Sequence, residues 1–319
     1  MRSDNRGTRN PVMTDTLGQT PTAEVRQCLP EPASGERNKT GIVPVAVGEG
    51  VSGGEVWDLV CGLSDRFPIQ EDWVRSLVCE FAKHLKEEPW RVLDLGAGTG
   101  NPAIGLASLG HQVVALDNDP WMVATCIHRA KIANARLHVV RRDWRTMSSE
   151  DLRVLGDGGP FNLILCLGNS LGYQDSWPDQ EPSGPLTATR LADTLRGWTD
   201  ALAPGGVIAL EVALEDADML PTHYVRLPPT CAADGNPALS SCWIVSVRED
   251  LVRDVDTLVY EQGTSECHAI VGRIRYRGHL ITNDLAEQAF RRAGLAAAAL
   301  TTGWRPYFST YLLRHMDCE

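Results

Sequence analysis

With 319 residues, 43% of them hydrophobic, the chain can hold one large α/β domain with an insertion, or two small domains. A formal net charge of -11 without clustered lysine and arginine argues against a nucleic-acid partner and for a small-molecule substrate. Nine scattered cysteines, an odd number with no Cys-x-x-Cys pair, fit reduced thiols rather than a metal site; with no 18-residue apolar run and no signal-peptide core, a cytoplasmic chain without a membrane partner is expected.

Residues 1–49 are rich in Pro, Gly, Thr, Asn and charge without apolar periodicity, which predicts a disordered tail. Helical spacing begins at Val56 and runs through Trp73, Leu77, Phe81 and Leu85, with a break near Pro68, so residues 50–90 are expected to form a helical cap over the site described next. On spacing alone Trp57 serves better as a core residue than as a ligand contact.

Residues 91–100 read Arg-Val-Leu-Asp-Leu-Gly-Ala-Gly-Thr-Gly, an apolar strand that stops at three glycines spaced by single residues. Gly96, Gly98 and Gly100 permit positive φ and let the backbone approach a ligand with no Cβ in the way. Asn101-Pro102 then opens a helix, with Asn101 as the expected cap. The spacing departs from the dinucleotide pattern Gly-x-Gly-x-x-Gly, and Asp94 before it would repel a diphosphate but attract a ligand carrying an amine and a sulfonium. S-adenosylmethionine is such a ligand. A second buried strand, 112–116, ends at Asp117-Asn118, where a Rossmann-like fold puts an acid on ribose hydroxyls.

The alternation then continues with helix 120–133, strand 137–140, strand 161–167, helix 186–202 closed by Pro204-Gly205-Gly206, and strand 207–212, which predicts a parallel sheet with helices on both faces. Ligands in such sheets bind beyond the carboxyl ends of the strands, which selects Asp94, Asp117, Asp143-Trp144, Gly168-Asn169-Ser170 and Glu211 as one shoreline. Asp143 can accept from an adenine amine and Trp144 can pack on a purine, though a surface Asp beside a core Trp is an equal reading of that pair by itself. Segments 242–248, 257–261 and 269–276 alternate polar residues with Val, Ile, Thr and Tyr, so residues 213–281 are expected to insert three antiparallel strands as a substrate lid. Helix 282–293 capped by Gly294, then strands 295–301 and 308–313, complete the sheet.

Taken together, Val56-Trp57-Asp58-Leu59 with Gly62, residues 92–100, Asp117, Asp143-Trp144, and Leu165-Cys166-Leu167-Gly168-Asn169-Ser170 resemble the class I S-adenosylmethionine-dependent methyltransferases, and within them glycine N-methyltransferase and its small-molecule N-methyltransferase relatives. The resemblance spans about residues 56–212. It implies an α/β, Rossmann-like class I methyltransferase fold with a mostly parallel seven-stranded sheet, residues 91–319 forming the methyltransferase domain. It implies further that Trp57 and Arg66 hold the methionine end of the cofactor, Ala97 lies along it, Asp117 binds ribose, Asp143 and Trp144 hold adenine, Leu167 and Ser170 line the pocket, and Asn169 faces the substrate.

Two departures stand out. Val60 occupies the place of a family tyrosine, and Ala213 that of the arginine that grips a glycine carboxylate, which argues against glycine as acceptor. Glu211, Glu215 and Asp216 make that rim acidic, which suits a cationic amine or is simply a solvated loop. Methyl transfer needs a base only if the nucleophile arrives protonated; His223, Tyr224 and Tyr173 are the candidates, each more often structural. The expected activity is transfer to a small amine. An O- or C-methyltransferase, a different user of the sulfonium such as a cyclase or aminocarboxypropyl transferase, and a non-catalytic cofactor-binding subunit are the alternatives. Nothing in the sequence speaks to oligomeric state.

Overall fold

The computed structural model describes residues 71–85, 89–176, 182–213, 223–226, 239–261, 270–299 and 308–316. The tail and the first part of the predicted cap, with Trp57, Val60 and Arg66, lie outside these residues, as do Glu215 and Asp216.

Helix α1 (Glu71–Ala82) leads into strand β1 (Arg91–Leu95), helix α2 (Ala103–Ser108), β2 (Gln112–Asp117), α3 (Pro120–Ile132) and β3 (Leu137–Arg141). After a 3-10 turn at Trp144–Thr146 come α4 (Ser149–Arg153), β4 (Phe161–Cys166), a second 3-10 turn at Ser170–Tyr173, α5 (Ala188–Thr199) and β5 (Leu202–Ala213). Strands β6 (His223–Arg226), β7 (Leu239–Val247), β8 (Val252–Glu261) and β9 (Ile270–His279) precede α6 (Asn283–Arg292), β10 (Leu295–Ala299) and β11 (Phe308–His315).

The main sheet has seven strands in the order β10-β11-β5-β4-β1-β2-β3. The run β5-β4-β1-β2-β3 is parallel, and β11 enters antiparallel to both β5 and β10. Period-2 alternation on β1 splits the core in two. Leu93 and Leu95 join Ile164, Leu210, Trp198 of α5 and Phe290 of α6 on one face, while Val92 joins Leu163, Val207, Phe81 of α1 and Leu106 of α2 on the other. Each such buried Leu or Phe contributes about 1.5–3 kcal/mol.

Several boundaries differ from expectation for local reasons. Asn101 does not cap α2: the chain is still turning there, with Ile104 N donating to Gly100 O, so the helix starts at Ala103 and Pro102 takes the cap position. Leu202 belongs to β5 rather than to the preceding helix. It pairs with Phe161, and Pro204-Gly205-Gly206 is absorbed as an irregularity before Val207 pairs with Leu163. Helix α4, not predicted, is opened by a capping box in which Ser148 and Asp151 satisfy each other's backbone N–H groups.

The segment expected to carry three strands builds a separate antiparallel sheet of four, β6-β7-β8-β9. The short β6 is the addition, and places His223 opposite Val245 of β7. Finally, α1 is a layer on the sheet: Val74, Leu77 and Phe81 are buried in the second core face, and Gly105 of α2 leaves room for Val74, whose Cγ2 would lie 2.6 Å from a Cβ there. Among the described residues, none of α1 lines the cavity at the sheet edge, and the described part of the expected cap lies on the sheet.

Candidate functional site

At the end of β1 the backbone folds into a tight turn held by the next strand. Gly96 N and Ala97 N both donate to Leu116 O, at 2.9 and 3.0 Å. Gly96, Gly98 and Gly100 have φ of 69°, 54° and 97°, conformations that β-substituted residues adopt only at a cost. A Cβ on Gly96 would sit 2.8 Å from Ser170 Oγ, and one on Gly100 would meet Cys126 and Ile104 at 2.7 Å. The turn is therefore pressed between the 168–170 loop and α3.

Asp117, at the tip of β2, faces this turn. Its Oδ2 accepts from Gly98 N at 2.8 Å and its Oδ1 from Asp119 N at 2.9 Å, so both oxygens are fixed by backbone and keep further lone pairs for a ligand. Burial pushes its carboxyl up to about 6, against the pull of those N–H donors. Asp119 caps α3 by accepting from Trp121 N and Met122 N, which brings Met122 to the cavity.

A cavity of about 640 Å³ of empty space, open to solvent, lies beyond these strand ends. Gly96, Gly98, Asp117 and Asn118 form one wall; Asp143, Trp144, Gly168, Ser170 and Tyr173 form much of the other. Met122 and Arg145 complete the described lining and were not anticipated. The signal for Met122 was in the chain: it stands two residues into a helix that Asp119 and Pro120 open directly after Asp117.

Other predicted residues sit behind the wall. Asp94 is 2% exposed between Ala115 and Leu165 of the flanking strands, and Ala97, Gly100 and Leu167 support the turn and loop without lining the cavity. Burial, reinforced by the Asp94 charge, pushes the Cys126 thiol up to about 12, so that sulfur stays protonated.

Asn169 corrects an expectation. It adopts φ 63°, is 2% exposed, accepts from Ala213 N at 3.1 Å through Oδ1, and does not face the cavity. Its rotation inward follows from its left-handed backbone and from Gly172, where a Cβ would lie 2.8 Å from Asn169 Nδ2. Glu211 is likewise buried, 1% exposed, with Oε2 accepting from Gly168 N at 2.7 Å; it braces the loop rather than forming an acidic rim.

Tyr173 connects the two sheets. Its ring packs edge-on against Tyr276 of β9, with centroids 5.2 Å apart, and lies where a Cβ on Gly278 would be. Arg253 Nη1 of β8 approaches its hydroxyl at 3.5 Å. Beside it, Asp175 Oδ1 lies 2.8 Å from His279 Nε2, while Asp175 Oδ2 accepts from Ser183 N, Ser183 Oγ and Arg190 Nη2. Burial raises the Asp175 carboxyl, but these donors outweigh it and hold the group well below the usual carboxylate range.

Residues 92–182 match the family described as "Methyltransferase domain". Over these residues the chain carries a methyltransferase domain, and it is similar to S-adenosylmethionine-dependent methyltransferases. A glycine/sarcosine N-methyltransferase of Parasynechococcus marenigrum (strain WH8102) is 34% identical over 114 residues, covering 34% of this chain and 38% of that protein. Glycine N-methyltransferase of Rattus norvegicus is 25% identical over 239 residues, covering 73% and 67% of the respective chains. The chain also superposes on the S-adenosylmethionine-bound amino pentose methyltransferase CalS10 of Micromonospora echinaspora with a TM-score of 0.58 at 19% identity, covering 81% of this chain and 95% of that one, a likeness of fold. The alignments span 38%, 53% and 64% of the lengths of three of the curated relatives. Among the described residues of the methyltransferase domain, no helix is long and apolar enough to cross a membrane.

Proposed function

We propose that the cavity binds S-adenosylmethionine and that the chain transfers its methyl group to a small amine. The observation that carries the reading is Asp117: a carboxylate whose two oxygens are both fixed by backbone N–H groups, at the lip of a glycine turn, is a ready acceptor for a ribose diol. Each hydrogen bond to such a charged acceptor contributes about 1.5–3 kcal/mol. Gly98 leaves its side of the cavity open, since the nearest atom to a Cβ there is Met122 Sδ at 4.0 Å, and Trp144 with Met122 offers an apolar slot of the kind a purine fills.

The bound cofactor would supply a methyl group already activated by a sulfonium. The protein then has to orient the acceptor and exclude water. Tyr173, set between the cavity and the β6–β9 sheet, would do the first, and that sheet would serve as the lid for the second. Trp57 and Arg66 remain proposed for the methionine end of the cofactor. An amine that arrives unprotonated needs no base. The choice of nitrogen as acceptor atom rests on the relatives named as N-methyltransferases. The place where those relatives would hold a glycine carboxylate is Ala213, 7% exposed, which offers no positive charge to a carboxylate.

Mass spectrometry of products tests this, first without an acceptor and then with a panel of small amines. S-adenosylhomocysteine released only when an amine is present supports the reading. Methylthioadenosine would indicate attack at another carbon beside sulfur, and neither product a non-catalytic subunit.

A further inference from the structure

The wall beyond β3 holds an unexpected pair. Asp143, expected to accept from the adenine amine, is engaged by its neighbour: Arg145 Nε donates to Oδ1 at 2.7 Å and to Oδ2 at 2.8 Å, Arg145 Nη2 also donates to Oδ2, and Arg145 N donates to Oδ1 at 3.0 Å. The carboxylate thus accepts from a guanidinium fork and a backbone N–H together, an arrangement that fixes both groups. The Asp143 side chain has 25% of its surface exposed and that of Arg145 24%, and both line the cavity. Arg145 Nη1 makes no hydrogen bond to any described residue, which leaves two N–H groups of a fixed guanidinium available at the wall. Trp144 between them packs edge-on against Trp198, centroids 5.3 Å apart, which anchors the segment.

We infer that Arg145 is the base-reading residue of this pocket, presenting donors to the outer edge of the purine, and that Asp143 is a positioning residue acting through it. The inference rests on the proposal that the cavity takes an S-adenosyl cofactor. Chemistry makes the distinction sharp. The adenine edge offers a donor at its 6-amino group and an acceptor at N1; the 6-oxo purine reverses both. A carboxylate facing the 6-position favours adenine and repels a 6-oxo group. A guanidinium donates to adenine N1 or to the 6-oxygen alike, so a pocket read by Arg145 discriminates weakly between them.

The test is calorimetric titration of the full chain with S-adenosylhomocysteine and with its 6-oxo counterpart, S-inosylhomocysteine. Wild type should bind both within about three-fold of each other. Arg145→Met frees the Asp143 carboxylate to face the base, so its preference for the adenine compound should rise about ten-fold or more, the discrimination expected of one charged hydrogen bond. Arg145→Lys, which keeps the charge but loses the fork, should fall between. A wild-type preference for adenine above ten-fold, or a preference unchanged or lowered in Arg145→Met, overturns the inference while leaving the cofactor assignment standing. Wild type that binds neither compound overturns both. Thermal melts of each variant separate loss of fold from loss of recognition.

Discussion

The edge of the parallel sheet and the joint to the antiparallel sheet each hold a partly buried carboxylate, and the two are held in opposite ways. At the edge, Asp117 accepts from backbone N–H groups, those of Gly98 and Asp119 among them, and burial dominates, raising its carboxyl to about 6. At the joint, Asp175 accepts from Ser183 and Arg190 and faces His279 across 2.8 Å, and the donors win over burial. The first is an acceptor left incompletely satisfied, as a binding site requires; the second is a satisfied pair that ties the 170s loop to β9 and α5.

Breaking the joint should have the largest effect. His279 is 1% exposed, and Asp175→Ala would leave it and Arg190 without their acceptor. A buried donor left without its acceptor costs about 1–3 kcal/mol, and His279, Arg190 and Ser183 all lose theirs here, so denaturant unfolding of the variant should show a loss at the top of that range or above it. At the edge, Gly96→Ala forces a side chain into φ 69° and to 2.8 Å from Ser170 Oγ, a strain of about 1–3 kcal/mol; thermal melting should fall, with cofactor affinity falling alongside as the turn shifts.

The pH dependence sharpens the contrast because the signs differ. Asp117, with its folded value raised from 3.8 to about 6, contributes stability that is fully present below pH 3.8 and lost as pH rises through about 6. Asp175, with its value lowered, contributes stability present above pH 3.8 and lost as pH falls through its folded value. Between pH 4 and 6.5 the Asp117 contribution therefore adds a slope of at most about 1.4 kcal/mol per pH unit, stability rising as pH falls. Unfolding curves of Asp117→Asn across that window should lack this slope, and cofactor binding by wild type should weaken below about pH 6. The smallest effect is expected of Tyr173→Phe, which keeps the ring on Tyr276 and Gly278 and loses only the hydroxyl. On an unprotonated amine its kcat should stay within about three-fold of wild type, whereas a general base would contribute about a hundred-fold or more.

What could be read from the sequence is what is local. The apolar runs of β1, β2 and β4, the glycine turn and the acid at the tip of β2 each follow from residues within a few positions of one another, and they fall at one sheet edge because parallel strands must align there. What could not be read depends on which way a loop residue turns. Asn169 sits in a polar tip, yet its left-handed backbone and Gly172 rotate the amide into the protein. Asp143 carries an acid, but Arg145 two positions on is long enough to fold back on it. The short strand β6 gave too few residues for period-2 alternation to register, and Pro204-Gly205-Gly206 signalled a break that β5 instead absorbs.

Calorimetric titration of wild type and Asp117→Ala with S-adenosylmethionine at pH 7.5 or above tests the proposed role of Asp117 as ribose acceptor most directly. Wild type should bind the cofactor and the variant about ten-fold or more weakly, the loss expected for a charged acceptor, with the variant's fold verified by its melting curve. Equal affinity in the two proteins, or tighter binding of NAD than of S-adenosylmethionine by wild type, would contradict it.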